Sequence, residues 1–172
     1  TGVKSWLVNK AVAAKMYNIQ NGLGYTHSVY DSLVFGKFKQ ILGGEVRIMV
    51  TGSAPIENEV LDFLKICFCT MLGEGYGLTE TSPVISVNSY DGYRMKIGTV
   101  GKTIENVTVK IADDGEILVK GPNVMMGYYK DPEKTDSVMS GSYFHTGDKG
   151  ELDAEGFLKI TGRKKEIFKT SG

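Results

Sequence analysis

The sequence has little of what would mark several large classes of protein. Acidic and basic residues balance at 20 each among 172 residues, which removes the electrostatic argument for a nucleic-acid partner. No apolar run approaches the roughly 18 residues of a membrane-spanning helix, and the first residues lack the pattern of a signal peptide. Apolar residues make up 41% of the chain and charged residues 23%, as expected of a globular protein with a core.

Cysteine and histidine are also scarce. Cys67 and Cys69 lie one residue apart, so a disulfide between them is implausible, and the spacing matches no zinc-binding pattern. His27 and His145 are too few and too far apart to indicate a metal site. We expect the cysteines to be small apolar residues in a reducing compartment, which favours a cytoplasmic protein.

The apolar spacing of the first 45 residues is typical of helices. It predicts one amphipathic helix over residues 5–20 and a second over residues 28–42. Ser28 is the predicted N-cap of the second helix, and Gly43-Gly44 is its predicted C-terminal stop. The apolar face of that helix is expected to contain Val29, Leu33, Val34, Phe38, Ile41 and Leu42.

The next segment predicts a buried strand over residues 46–50, a loop of small residues at 51–55, and a helix with Pro55 near its first turn. The predicted apolar face of that helix contains Val60, Leu61, Leu64 and Phe68. A short apolar segment, 68–72, leads into a glycine-rich loop at 73–80. We expect the two loops side by side at the carboxyl ends of neighbouring parallel strands, where α/β sheets collect ligands.

After residue 95 the pattern favours strands and turns. Hairpins are predicted over 107–120, turning at 113–115, and over 149–162, turning at 153–156, with a short helix capped by Asp131 between them. The predicted fold class is therefore α/β. A partial parallel sheet with flanking helices occupies residues 1–95, and a small β-rich subdomain follows over 96–163.

The most informative segment is residues 73–81 (GEGYGLTET), which is predicted to form one short loop. Its glycines allow main-chain amides to approach a phosphate and permit positive φ. Tyr76 offers a stacking face, Thr79 a hydroxyl, and Glu80 a hard oxygen ligand for Mg²⁺. The alternative is a glycine-rich turn with a capping threonine and a solvated glutamate.

Three more segments carry polar residues in suggestive places: 51–55, 145–148 and 162–166. The first can be a simple helix entry. Asp148 can cap a turn at the start of a hairpin, or its two oxygens can accept the paired hydroxyls of a ribose. The last segment can be a charged strand exit, or an arginine reaching back to a nucleotide before a flexible joint.

The order of these segments resembles that of the adenylate-forming enzymes, which include acyl-CoA synthetases, beetle luciferases and peptide-synthetase adenylation domains. Residues 76–80 (YGLTE) are similar to the Tyr-Gly-x-Thr-Glu motif of this superfamily. Residues 143–148 (YFHTGD) resemble its Thr-Gly-Asp motif, and 162–167 (GRKKEI) its hinge motif. The stretch 121–135 (GPNVMMGYYKDPEKT) resembles the connecting segment.

The first half narrows the resemblance to long-chain fatty-acyl-CoA synthetases. The segments that carry it are residues 31–35 (DSLVF), 43–56 (GGEVRIMVTGSAPI) and 59–64 (EVLDFL). The resemblance implies a fragment of the large N-terminal domain, in which 164–172 begin the hinge to a C-terminal lid and Lys165 is the hinge residue. The lack of an initiator methionine agrees with an excised piece.

In that family, ATP and a fatty acid give an acyl-adenylate and pyrophosphate, and the CoA thiol then displaces AMP. The resemblance implies that Thr79 contacts the α-phosphate and Glu80 holds Mg²⁺, so these two are the catalytic candidates. It places Tyr76 against the base and Asp148 on the ribose hydroxyls, assisted by Arg163. The implied nucleotide-contacting residues are Ser53, Ala54, Pro55, Glu74, Gly75, Tyr76, Gly77, Thr79, Asp148 and Arg163.

The implied partners are a long-chain fatty acid, ATP and CoA, with no nucleic acid. The phosphate loop and the lid domain of the family are expected outside this chain, so the isolated chain is expected to be inactive. Peripheral membrane association of the parent, at the endoplasmic reticulum or another organelle, is expected because its substrate partitions into lipid. Two alternatives stay open: another adenylate former, either luciferase-like or a peptide-synthetase module, and a non-catalytic nucleotide-binding homologue.

Overall fold

A computed structural model describes residues 2–88 and 95–164, and the chain divides into two compact units between Leu72 and Gly73. The α/β fold class is confirmed, because both units combine helix and strand. The predicted domain boundary after residue 95 marks a change in secondary structure, not a gap between contacts, and it stays a prediction. Among the described residues, no helix has the length and apolar character to cross a bilayer.

The first unit is mainly helical. Its elements are α1 (Gly2–Gln20), α2 (Ser28–Tyr30), a π-helical segment (Asp31–Phe35), α3 (Gly36–Ile41), β1 (Met49–Thr51) and α4 (Asn58–Cys67). Its core consists of the buried residues Ala11, Val34, Phe35, Ile66 and Cys67. The helix predicted over 5–20 is thus confirmed within α1.

The ends of the second predicted helix are half right. The stop at Gly43-Gly44 is confirmed, since both glycines have positive φ and their amides donate to the carbonyls of Gln40 and Lys39 at 3.0 and 2.9 Å. Positive φ is the conformation in which glycine ends a helix without strain. The N-cap prediction of Ser28 is wrong, because the cap is His27, whose ring Nδ1 accepts from the Tyr30 amide.

The predicted apolar face of this helix is also wrong in part. Val34 and Phe35 are buried, but Val29, Leu33 and Ile41 are more than half exposed. The reason is the π-helical segment, which has a wider turn than an α-helix and changes the phase of the residues that follow. A face drawn with a period of 3.6 residues across this segment therefore points partly to solvent.

A buried ion pair joins this segment to α1. Lys15 is 2% exposed, its ammonium donates to Asp31 Oδ1 and to the Ile66 carbonyl at 3.2 Å, and it lies 4.5 Å above the Phe35 ring. Asp31 Oδ2 accepts from the His27 amide at 2.7 Å. Burial alone would raise the pKa of Asp31, but the hydrogen bonds from Lys15 and His27 hold it below its usual value of 3.8.

The segment after Gly44 is less regular than predicted. The strand predicted over 46–50 is confirmed only from Met49 onward, where β1 begins. Pro55 is not in the first turn of α4, because it precedes the N-cap Glu57. On the predicted face of α4, Leu61 is buried, but Val60 is exposed.

Both cysteines are confirmed as free and buried. Cys69 donates to the Arg47 carbonyl at 3.0 Å, and burial raises the pKa of the Cys67 thiol to about 11. The thiol of Cys67 is therefore protonated at neutral pH and behaves as an apolar residue of the core.

The second unit is mainly β-structure. Its elements are β2 (Leu72–Tyr76, beginning at the division), a 3₁₀ turn (Thr79–Thr81), β3 (Ser86–Val87), β4 (Lys102–Thr103), β5 (Thr108–Ile111), β6 (Glu116–Lys120), α5 (Pro132–Ser137), β7 (Met139–Ser140), β8 (Tyr143–Leu152) and β9 (Leu158–Arg163). Strands β2, β3 and β4 pair antiparallel in that order. In the other sheet, β6 pairs with β5 and β8, and β8 also pairs with β7 and β9, all antiparallel.

The predicted hairpins and the short helix of this unit are confirmed. Asp153 closes the β8–β9 turn by accepting from the amides of Glu155 and Phe157, both at 2.9 Å. Asp131 caps α5 by accepting from the Lys134 amide at 3.0 Å. The buried residues Ile85, Val107, Ile117, Val119 and Leu158 form the core beneath these strands.

A close backbone contact joins residues 100–101 to both sheets of this unit. Val100 and Gly101 exchange hydrogen bonds with Leu158, each 2.8 Å long. Gly101 has φ +82, and a Cβ there would lie 2.0 Å from the carbonyl oxygen of Val87. Gly98 has a similar φ of +80 but nothing within 4 Å of its Cβ position.

Replacing Asp31 by Asn should destabilise the protein by about 2 kcal/mol at pH 7, because the buried Lys15 ammonium loses its counter-charge. The folded pKa of Asp31 is lowered, so its contribution is present above the unfolded pKa and is lost as pH falls through the folded value. Urea unfolding at several pH values measures this difference, which should shrink below about pH 4. Asp62→Asn is the control, since Asp62 accepts from the neutral Tyr25 hydroxyl. An equal loss at pH 3 and pH 7 contradicts the prediction.

Gly101→Ala should cost about 2 kcal/mol more than Gly98→Ala. Both variants place a side chain at positive φ, which costs about 1–2 kcal/mol. Only Gly101→Ala adds a clash with backbone atoms that cannot move aside. The free energies of unfolding of the two variants provide the measurement, and equal losses would argue against the close contact.

Candidate functional site

The glycine-rich segment is not one loop, as the sequence predicted. Leu72–Tyr76 form strand β2, and Thr79–Thr81 form a 3₁₀ turn. Only Gly77 and Leu78 separate the two elements. Glu74 and Gly75 therefore lie inside a strand, where the Glu74 carbonyl accepts from the Asn88 amide at 2.8 Å.

The glycines of this segment serve close packing. Gly73 and Gly77 do not have positive φ, which corrects the expectation. A Cβ on Gly73 would lie 2.4 Å from the Asn88 carbonyl oxygen, and one on Gly77 would lie 1.8 Å from that of Pro83. These positions have no room for a side chain, so the motif keeps its backbone close to residues 83–88.

The two threonines of the turn differ in their environment. Thr79 is exposed, whereas Thr81 is fully buried. The Thr81 hydroxyl accepts from the Leu78 amide and donates to the Leu78 carbonyl, both at 2.9 Å. Thr81 thus closes the turn, and this leaves Thr79 free to present its hydroxyl to solvent.

The stretch that connects the motifs fastens the Glu80 side chain. Tyr128 donates its hydroxyl to Glu80 Oε1 at 2.8 Å, and the Met125 amide donates to the Glu80 carbonyl at 2.8 Å. Asn123 donates to the carbonyls of Thr81 and Val84 at 3.0 and 2.7 Å. Burial and the Glu80 hydrogen bond both raise the pKa of Tyr128. Sequence reasoning missed Tyr128, although its position in the 121–135 stretch was a signal.

Asp148 lies within β8, not at the start of a hairpin as expected, and a bulge sets its direction. Between two paired positions, β6 advances from Glu116 to Leu118 while β8 runs from Lys149 back to His145. The surplus residues on β8 include Gly147, whose φ is +73. Bulges of this kind redirect side chains at functional sites.

The bulge brings Asp148 to Tyr76 and Arg163. The Tyr76 hydroxyl donates to Asp148 Oδ2 at 2.7 Å, and Arg163 Nε lies 3.2 Å from Oδ1. Burial, together with the anionic Asp148, raises the pKa of Tyr76, so the phenol stays protonated as the donor. Residues 72 positions apart in the sequence thus meet in one cluster, as a shared nucleotide site requires.

This carboxylate can still accept further hydrogen bonds. Asp148 is 6% exposed, and each of its oxygens has one partner among the described residues. A carboxylate has about four acceptor positions, so two stay available, one on each oxygen. A vicinal diol is a donor set that fits such a pair.

Not every predicted residue can be placed in this cluster. Ser53, Ala54 and Pro55 belong to the first unit, where all three are exposed, and Ser53 has φ +71. Their position beside Tyr76 and the parallel pairing of the strands ahead of the two loops stay predictions. Lys165, the predicted hinge residue, lies outside the described residues.

Glu80 fits a magnesium ion only as a partial ligand. Within residues 2–88 and 95–164, no three His, Cys, Asp or Glu side chains gather closely enough to hold a metal. Mg²⁺ commonly binds through one or two carboxylates together with substrate phosphates and water. A half-buried Glu80, fixed through one oxygen by Tyr128, has the chemistry for that arrangement.

Comparison with known proteins gives consistent relatives. The chain is 43% identical to the long-chain-fatty-acid–CoA ligase FadD15 of Mycobacterium bovis, over 85% of the chain and 24% of the relative. It is 40% identical to long-chain-fatty-acid–CoA ligase 5 of Rattus norvegicus, over 98% of the chain and 26% of the relative. The chain thus spans about a quarter of the length of these relatives.

A solved structure agrees with them. Apo MatB from Rhodopseudomonas palustris matches with a TM-score of 0.66 and 34% identity, over 75% of the chain and 28% of MatB. The family described as AMP-binding enzyme matches residues 10–129, which include Glu80 and Tyr128. The chain therefore belongs to the AMP-binding enzyme family.

Proposed function

We propose that this chain forms part of a long-chain fatty-acid–CoA ligase. The whole enzyme would join a fatty acid and ATP into an acyl-adenylate, release pyrophosphate, and transfer the acyl group to CoA. The observation that carries the proposal is the meeting of Tyr76, Asp148 and Arg163 at one carboxylate. The similarity to two long-chain fatty-acid–CoA ligases supports this substrate class.

In this proposal Asp148 accepts the two ribose hydroxyls, and Arg163 and Tyr76 hold its carboxylate in place. Tyr76 also presents its ring to the adenine, with Ser53, Ala54 and Pro55 on the opposite side. Glu74, Gly75 and Gly77 supply backbone for the adenosine wall. Their strand and close-packed setting favours a rigid wall, because a rigid site loses little entropy on binding.

Thr79 and Glu80 act at the phosphates. The exposed Thr79 hydroxyl donates to an α-phosphate oxygen, and Glu80 holds Mg²⁺ with Tyr128 fixing its rotamer. The ion would supply positive charge that offsets the charge developing on the phosphates. What this chain contributes is position: a hydroxyl and a carboxylate held one residue apart at the end of β2.

The remaining parts of the enzyme belong to the portion of the relatives that this chain does not span. We place there the phosphate loop, the lid domain beyond Lys165, and any peripheral membrane contact. The two buried thiols favour a reducing compartment such as the cytoplasm. The isolated chain is accordingly proposed to be inactive.

ATP–pyrophosphate exchange by the full-length protein should depend on a long-chain fatty acid. Glu80→Gln and Asp148→Ala should each lower it about 100-fold, since each removes a charged group from the nucleotide site. Glu151→Gln is the control, because Glu151 is an exposed residue of the same strand as Asp148 and pairs only at the surface with Lys159. The 172-residue chain alone should give no exchange.

The outcomes of this assay separate the alternatives. Exchange driven by an amino acid, but not by a fatty acid, favours a peptide-synthetase module. Exchange with neither, in a protein that binds AMP, indicates a non-catalytic homologue. Full activity of both variants contradicts the proposed site.

Tyr128→Phe should raise the Mg²⁺ concentration needed for half-maximal exchange about fivefold, because Glu80 loses one neutral hydrogen bond worth about 1 kcal/mol. Tyr129→Phe is a matched control, since its side chain is 88% exposed. Measuring exchange over a magnesium series tests this. Identical curves for the two variants would refute a role of Tyr128 at Glu80.

A further inference from the structure

A buried carboxylate lies beneath the β8 bulge and has no part in the site described so far. Glu116 is the first residue of β6, and its side chain is 4% exposed. Sequence reasoning placed it only as the start of a strand after the turn at 113–115. A carboxylate buried this deeply is costly unless charged or polar groups surround it.

Glu116 has three such partners. Its Oε2 accepts from Lys164 Nζ at 2.8 Å and contacts His145 Nδ1 at 2.9 Å. Its Oε1 accepts from the Gly147 amide at 3.0 Å. Burial acts to raise the pKa of Glu116, but these hydrogen bonds outweigh it and lower the pKa, so the group is an anion at neutral pH.

These partners hold the bulge from two sides. The Gly147 amide is bound by Glu116, and its carbonyl accepts from the Lys164 amide at 2.7 Å. The next residue after Gly147 is Asp148, and the residue before Lys164 is Arg163. The pair that meets Tyr76 is thus flanked on both strands by residues that Glu116 holds.

Other charged groups around this carboxylate have their own contacts. Lys164 Nζ also lies 2.7 Å from Asp114 Oδ2, so it bridges an exposed and a buried carboxylate. His145 contacts the Ser140 hydroxyl through Nε2 at 2.8 Å. Asp114 is half exposed and has no printed contact with Gly147, which makes it a comparison for Glu116.

We propose that Glu116 is a positioning residue of the nucleotide site, which fixes the Thr146–Asp148 bulge and the end of β9 so that Asp148 and Arg163 meet the ribose. The proposal rests on the proposed function for the identity of the ligand. It extends that function to a residue that touches neither nucleotide nor metal. Because Lys164 directly precedes Lys165, the same carboxylate also fixes the last residue ahead of the proposed hinge.

Three variants of the full-length protein test this. Glu116→Ala removes the acceptor of the Gly147 amide, whereas Glu116→Gln keeps an oxygen there but removes the charge that holds Lys164. Asp114→Asn is the matched control, because it removes the other carboxylate on Lys164 and leaves Gly147 bound. The readouts are the Kd for AMP by calorimetry, the Tm, and amide hydrogen exchange at Gly147.

The Kd for AMP should rise about tenfold in Glu116→Ala and about threefold in Glu116→Gln, as expected for loss of hydrogen bonds to a charged group. It should change less than twofold in Asp114→Asn. Exchange at Gly147 should accelerate in Glu116→Ala and stay slow in Glu116→Gln. The Gln variant carries the test if the Ala variant does not fold.

A lower Tm with unchanged Kd in both Glu116 variants would mean a structural role only and would overturn the inference. A protein that binds AMP with these shifts but lacks fatty-acid-dependent exchange would contradict the proposed function and uphold Glu116. A wild-type protein that binds no AMP would overturn both.

Discussion

The bulge of β8 is the constraint on which the candidate site depends. With regular pairing between β6 and β8, Asp148 would follow the alternation of a flat strand and point where that alternation dictates. The surplus residues and the left-handed Gly147 break the alternation and bring the carboxylate to Tyr76 and Arg163. The Thr-Gly-Asp motif thus encodes a backbone shape as well as a chemical group.

The features that sequence reasoning predicted well are local. Asp131 and Asp153 each bond backbone amides two to four residues away, so their roles follow from neighbouring letters. Gly43 and Gly44 end a helix for the same kind of reason. The two spaced motifs that supply Tyr76 and Asp148 were found by resemblance, and their meeting could not be derived from propensity.

The features it missed depend on distant partners or on close packing. Tyr128 and Glu80 are 48 residues apart, as are Glu116 and Lys164, and no spacing rule relates such pairs. Gly73 and Gly77 looked like loop glycines, yet they are small because a backbone passes against them. The buried charges Lys15 and Glu116 also resemble solvated residues in a one-dimensional pattern, because only folding shows their counter-charges.

The π-helical segment has a consequence for how this region tolerates changes in length. A π turn holds more residues than an α turn, so deleting one residue between Asp31 and Phe35 would allow an uninterrupted α-helix. Everything after the deletion would then rotate by about 100° about the helix axis. Either Asp31 would lose Lys15, or Phe38 would leave the core. Insertions and deletions here are therefore more damaging than most substitutions, and the residue count itself is under constraint.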